Sequence, residues 1–145
     1  MHIYHSCFKF WRKLPEETKR RFCWIAVTKT VPSDYEEKVY RKLAPLGARF
    51  DRWIWPEFNE EGFFQEYSKL LDELDKEEVL EELKAMSEDE KDIVILNWED
   101  MSKKSEGRIA YAWLLEMTEE EASKMDLEEV LKKESLGTDD RVFDI

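Results

Sequence analysis

Residues 92–97 (DIVILN) form a near-continuous aliphatic run of strand length, and no other stretch limits the choice of fold so sharply. A strand that is apolar at every position, not at every second one, has to be covered on both faces, which is the condition of a parallel strand between helical layers. The stretch that follows fits this picture. A polar loop leads into a segment from about Ser105 to Met117, in which Ile109, Ala110, Trp113, Leu114 and Met117 recur at helical spacing. Strand, loop and amphipathic helix in that order are the part of an α/β fold where sites are usually built.

Two more β-rich runs, 1–7 (MHIYHSC) and 22–29 (FCWIAVTK), supply further strands. Helical spacing appears at Phe63, Phe64, Tyr67, Leu70, Leu71 and Leu74, and again at Val79, Leu80, Leu83 and Met86. Asp75 with Glu78 and Thr118 with Glu121 have the form of N-terminal caps, the second opening a last helix through Leu127, Val130 and Leu131. Residues 29–59 carry Pro32, Pro45 and Pro56 and little periodicity, so they form a long connection with one short helix near Tyr35 to Leu43. Strands alternating with helices imply an α/β fold: a small, mainly parallel β-sheet with helices packed on it. A length of 145 residues suits one domain, expected over 1–133, with 134–145 as a flexible tail.

The net charge of −12 hides an asymmetry. Up to Trp55 there are 12 basic against 6 acidic residues; the remainder has 11 against 29. The first third also holds 11 of the 19 aromatic residues, an interleaving that suits nucleic acid as well as it suits a core. The overall negative charge disfavours phosphate at long range, so nucleic acid is an unfavoured partner, left open only for this first third. The acidic helices are a candidate face for a protein partner. Charged residues make up 40% of the chain, and Asn59, Gln65 and Asn97 are its only amides, a thermophile-like balance. Cys7 and Cys23 are too few for a disulfide scaffold, and no apolar run approaches the roughly 20 residues of a membrane span. A soluble, cytoplasmic protein without a membrane partner is expected.

Three stretches, IYHSCFKFWRKLP, YRKLAP and IVILNWEDMSKKSEGRIAYAWL, together resemble short archaeal-type members of the domain-of-unknown-function 488 (DUF488) family. The resemblance implies an α/β scaffold and a site location, with no assigned reaction. It also implies a degenerate motif. The two family cysteines of this region fall on Asn97 and Ser105, and the family's His-Arg-His falls on Glu106, Gly107 and Arg108. Trp98, Glu99, Trp113 and Leu114 match, as do Tyr4 and Ser6 in the opening strand. Where the family commonly has an Arg ahead of a Gly and a Pro, this chain has Lys29, Thr30 and Pro32, which keeps the charge and loses bidentate recognition.

Ligands of such folds bind beyond the carboxyl ends of the strands, so the candidates follow from position. Glu99 is the catalytic candidate, as general acid or base, against the ordinary reading of a solvated loop carboxylate. The ligand-binding candidates are Tyr4, Ser6, Lys29, Asn97, Trp98, Ser105 and Arg108. Trp98 is a stacking platform or a core residue, Asn97 a ligand reader or a turn cap, and Lys29 a phosphate contact or a surface lysine. His2 and His5 point to opposite faces of a strand and cannot share a metal from there. His5 with Cys7 lacks a third ligand, and the four glycines are isolated, so neither a metal, nor a cofactor, nor a phosphate loop is expected. A degenerate binding or regulatory module is the favoured reading; the alternative is an enzyme acting on a small nucleotide or nucleic-acid-derived substrate.

Overall fold

The computed structural model describes residues 2–53, 59–98 and 106–137. Its centre is a four-stranded, all-parallel sheet in the order β1-β4-β2-β3, with β1 Ile3–Cys7, β2 Phe22–Ala26, β3 Lys38–Val39 and β4 Asp92–Asn97. The aliphatic run is the strand with neighbours along its whole length. β4 pairs with β1 from Ile3↔Ile93 to Cys7↔Asn97 and with β2 from Phe22↔Asp92 to Ala26↔Leu96.

Because strand side chains alternate, β4 feeds two cores. Ile93 and Ile95 join Ile3, Cys23 and Ile25 beneath helices α3 (Glu60–Asp72), α4 (Lys76–Met86), α5 (Glu106–Leu114) and α6 (Glu119–Ser123). Val94 and Leu96 join Phe22, Trp24 and Ala26 on the other face, beneath α1 (Phe8–Lys13) and α7 (Leu127–Gly137). Each such aliphatic side chain contributes about 1.5–3 kcal/mol by leaving water. α2 (Glu16–Lys19) completes the α-helices among the described residues, beside short 3-10 helices at Arg41–Leu43, Ala48–Trp53 and Glu88–Glu90.

The caps follow the sequence. Asn59 accepts the Gly62 N–H at 3.0 Å, Asp75 accepts those of Glu77 and Glu78 at 3.0 and 3.3 Å, and Thr118 with Glu121 closes a reciprocal capping box. The helix expected to run on from Thr118 is two helices. Asp126 interrupts it by accepting the Glu128 N–H at 2.8 Å, which caps α7 anew, while its backbone bridges His5 at the outer edge of β1. α7 then continues past residue 133 to Gly137; the rest of the expected tail, 138–145, lies outside the described residues.

Two other expectations change. The helix anticipated near Tyr35–Leu43 is strand β3 followed by a 3-10 turn at Arg41–Leu43. Tyr35 explains this: its hydroxyl donates to the Lys38 carbonyl at 2.6 Å and lies 3.2 Å from that of Trp24, which holds the segment extended against β2. α1 and α2 were not anticipated, although Phe8 and Trp11 lie three residues apart and Leu14 follows at the same interval, all buried. No helix among the described residues is long and apolar enough to cross a membrane.

Candidate functional site

Strand alternation divides the strand-end candidates between the two faces of the sheet. On the α5 side lie His5, Cys7 and Asn97. Ser6 and Trp98 fall on the α1 side.

The α5 side is closed. His5 is fully buried, its Nε2 lies 2.6 Å from the Ala122 carbonyl, and its ring is 4.8 Å from that of Tyr111. A carbonyl only accepts, so Nε2 carries the proton and Nδ1 is left as a buried lone pair without a partner among the described residues. Burial lowers the His5 pKa to about 4, the Ala122 bond partly opposes this, and the positive charge of Arg108 lowers it further. The imidazole is therefore neutral at pH 7 and fixed in one tautomer.

Asn97 is also buried, with Nδ2 3.5 Å from the Ser6 carbonyl, the outer limit of a hydrogen bond. Its amide fills the space above Gly107. A Cβ at residue 107 would lie 2.0 Å from Asn97 Nδ2 and 2.9 Å from its Cγ, so only glycine lets α5 approach the strand end this closely. Arg108, one residue on, is half-buried.

The α1 side is more open. The Trp98 indole packs edge-to-face on Phe8 at 4.9 Å and donates its N–H to the Thr30 carbonyl at 2.9 Å, yet half of its surface, 50%, faces solvent. It is the only exposed large hydrophobic side chain among the described residues. The Thr28 hydroxyl donates to the same Thr30 carbonyl at 2.5 Å, closing the turn that carries Lys29. Lys29 is exposed, and its carbonyl accepts from the Arg41 guanidinium. Ser6, beneath this side, is fully buried with Oγ lacking a partner among the described residues.

The predicted set thus does not converge. Trp98 and the Lys29 turn come together through Thr30, whereas Asn97 and Arg108 belong to the opposite face. Tyr4 stands apart from both groups, its ring 6.2 Å from Phe22 at the start of β2 and 6.1 Å from His2. Burial, and then the negative charge of Asp92, raise its hydroxyl pKa. Glu99 and Ser105 lie outside the described residues. Of the residues that build the Trp98 side, Thr28 and Thr30 lie just past the end of the second strand, as position predicts, whereas Phe8 and Arg41 were missed; the helical interval from Phe8 to Trp11 was the available signal for the first. Among the described residues no three His, Cys, Asp or Glu side chains gather as a metal site.

Fold and strand ends define the chain as an α/β protein with an all-parallel sheet, helices on both faces and a half-exposed indole at the carboxyl edge. No protein-family model matches it, and no match was found among curated proteins or solved structures.

Proposed function

We propose that this chain is a non-catalytic ligand-binding module, a degenerate relative of the DUF488 family, whose site at the carboxyl ends of the strands receives a planar group on Trp98. The observation that carries this reading is the indole itself: oriented by Phe8 and Thr30, it keeps an exposed aromatic surface. A ring held in place before binding loses little freedom when a nucleobase or similar ring stacks on it. Lys29, on the turn that Trp98 anchors, supplies a positive charge for a phosphate on the same ligand.

The non-catalytic part of the reading rests on the closed side. A histidine whose proton affinity is lowered to about 4 and whose Nε2 is engaged by a carbonyl is a poor general base at neutral pH. Asn97, where the family resemblance places a cysteine, packs against Gly107. The cytoplasmic setting and a protein partner for the acidic helices belong to the same proposal.

The test is a thermal-shift panel of nucleosides, nucleotides and sugar phosphates on the wild type, Trp98→Ala and Glu99→Gln. A ligand at 100 times its Kd raises stability by about 2.7 kcal/mol. A nucleotide shift that disappears in Trp98→Ala and persists in Glu99→Gln is expected. A shift that survives Trp98→Ala would overturn the reading, and ligand turnover abolished by Glu99→Gln would replace it with the enzyme.

A further inference from the structure

Among the described residues, the first half of β2 has a strand on one side only. Val27 donates its N–H to the Leu96 carbonyl at 3.1 Å, so Val27, Ile25 and Cys23 turn their backbone groups toward β4. Tyr40 donates to the Ala26 carbonyl at 2.8 Å, so Ala26, Trp24 and Phe22 turn theirs the other way. β3 is two residues long and pairs with Ile25 and Ala26 alone. Phe22 therefore faces outward where no strand lies among the described residues, while Trp24 meets β3 through its carbonyl alone, by the Ile25↔Lys38 pairing. Tyr35 Oη also reaches that carbonyl, which leaves the Trp24 N–H and both backbone groups of Phe22 without a strand partner among the described residues.

A cavity of about 620 Å3 occupies this gap, lined by Phe22, Cys23 and Trp24 on one side and by Glu36, Glu37 and Lys38 on the other. That volume lies within the ~300–1,000 Å3 of ordinary ligand sites. Trp11 also lines it, and its indole N–H is buried without an acceptor among the described residues. The charges on the lining are arranged, not merely mixed. Arg12 with Asp34, Lys19 with Glu16 and Lys38 with Glu88 neutralise one another. Arg20 and Lys91 are left without a carboxylate partner, and Glu36 and Glu37 without a cation, among the described residues.

We propose that this gap is a docking groove for an extended peptide segment of a partner protein, added as a short strand along Phe22–Trp24. An exposed strand edge recognises extended backbone by main-chain hydrogen bonds, and flanking side chains select its sequence. The occupant carries an acidic residue for Arg20 and Lys91 and a basic one for Glu36 and Glu37, with a backbone carbonyl supplying the acceptor that Trp11 lacks. The groove lies at the amino-terminal end of β2, opposite the Trp98 site, so it stands independently of that reading.

Fluorescence anisotropy with a labelled, blocked Asp-Val-Thr-Val-Lys peptide and the full chain tests it. The peptide is expected to bind saturably, and N-methylation of alternate residues, which removes backbone donors, to weaken it about ten-fold or more, a loss of roughly 1.4 kcal/mol. Glu36→Lys with Glu37→Lys, both exposed positions, weakens it comparably, and a peptide acidic at both ends, Asp-Val-Thr-Val-Asp, recovers affinity on that double variant, where Arg20 and Lys91 are unchanged. Hydrogen exchange of the Trp24 amide slows when peptide is bound. No saturable binding, equal binding of the N-methylated peptide, or indifference to the double reversal would each overturn the proposal.

Discussion

The two faces of the sheet meet their ends differently at Asn97 and Trp98, which are adjacent residues of one chain. Asn97 turns into the α5 side and is sealed there by Gly107, while Trp98 turns to the α1 side and stays half exposed on Phe8. A single step along the backbone separates a polar residue that fills a core from an aromatic residue that faces water. Residue type alone suggests the reverse. What decides is the depth of cover on each face: α5 descends on Asn97 at the end of β4, whereas among the described residues Trp98 is met by the Phe8 edge and the Thr30 carbonyl.

The closed side should break first. Gly107→Val drives side-chain atoms into Asn97, and a loss of about 3 kcal/mol is expected in guanidinium unfolding, the upper range for overpacking. Adding Asn97→Ala makes room and should recover part of it, with a coupling of about 1–3 kcal/mol. Two variants whose effects simply add would show that the seal between them is not real.

Acid tests the same side through two buried groups of opposite sign. His5 takes up its proton near pH 4 when folded and near 6.5 when unfolded, so between these values the unfolded chain binds more protons and stability falls as pH falls. Asp126, whose pKa burial raises to about 6 from 3.8, binds its proton earlier in the folded chain, so it adds stability as pH falls through the same window. The two largely offset. In Asp126→Asn the offset is gone, and the stability lost between pH 6.5 and 4.5 should exceed that of the wild type by about 1–2 kcal/mol, measured by denaturant unfolding at each pH.

Substitutions on the open side should cost less. Trp98→Ala forfeits one aromatic edge contact and one hydrogen bond, about 1 kcal/mol, and its melting temperature reads this directly. Lys29→Ala should change stability by less than about 0.5 kcal/mol while lowering nucleotide affinity. Were Trp98→Ala as damaging as Gly107→Val, the indole would be a core residue and the contrast between the faces would vanish.

The sheet was legible because its evidence is local. The unbroken DIVILN run means cover on both faces wherever it sits, and the caps at Asp75 and Thr118 act within a single turn. β3 was not legible, since it is held by the Tyr35 hydroxyl reaching two carbonyls, a contact no periodicity encodes. The candidate site was legible in position and not in composition. Ordering residues by strand end gathers Ser6, Asn97 and Trp98, but only the alternation of β1 and β4 in register divides them, and Tyr4 was displaced because its ring packs toward Phe22. The roles of His5 and Gly107 depend on Ala122 and Asn97, partners 117 and 10 residues away.

One titration addresses the central claim, that the open Trp98 side is the binding side and the Asn97 side is structural. Adenosine monophosphate is added to 15N-labelled protein while the Trp98 indole N–H and the Gly107 and Arg108 backbone amides are followed by NMR. The Trp98 indole signal is expected to move saturably while the α5 amides stay in place. Saturable movement of Gly107 and Arg108 with a stationary Trp98 indole would contradict it and return the site to the face that Asn97 closes.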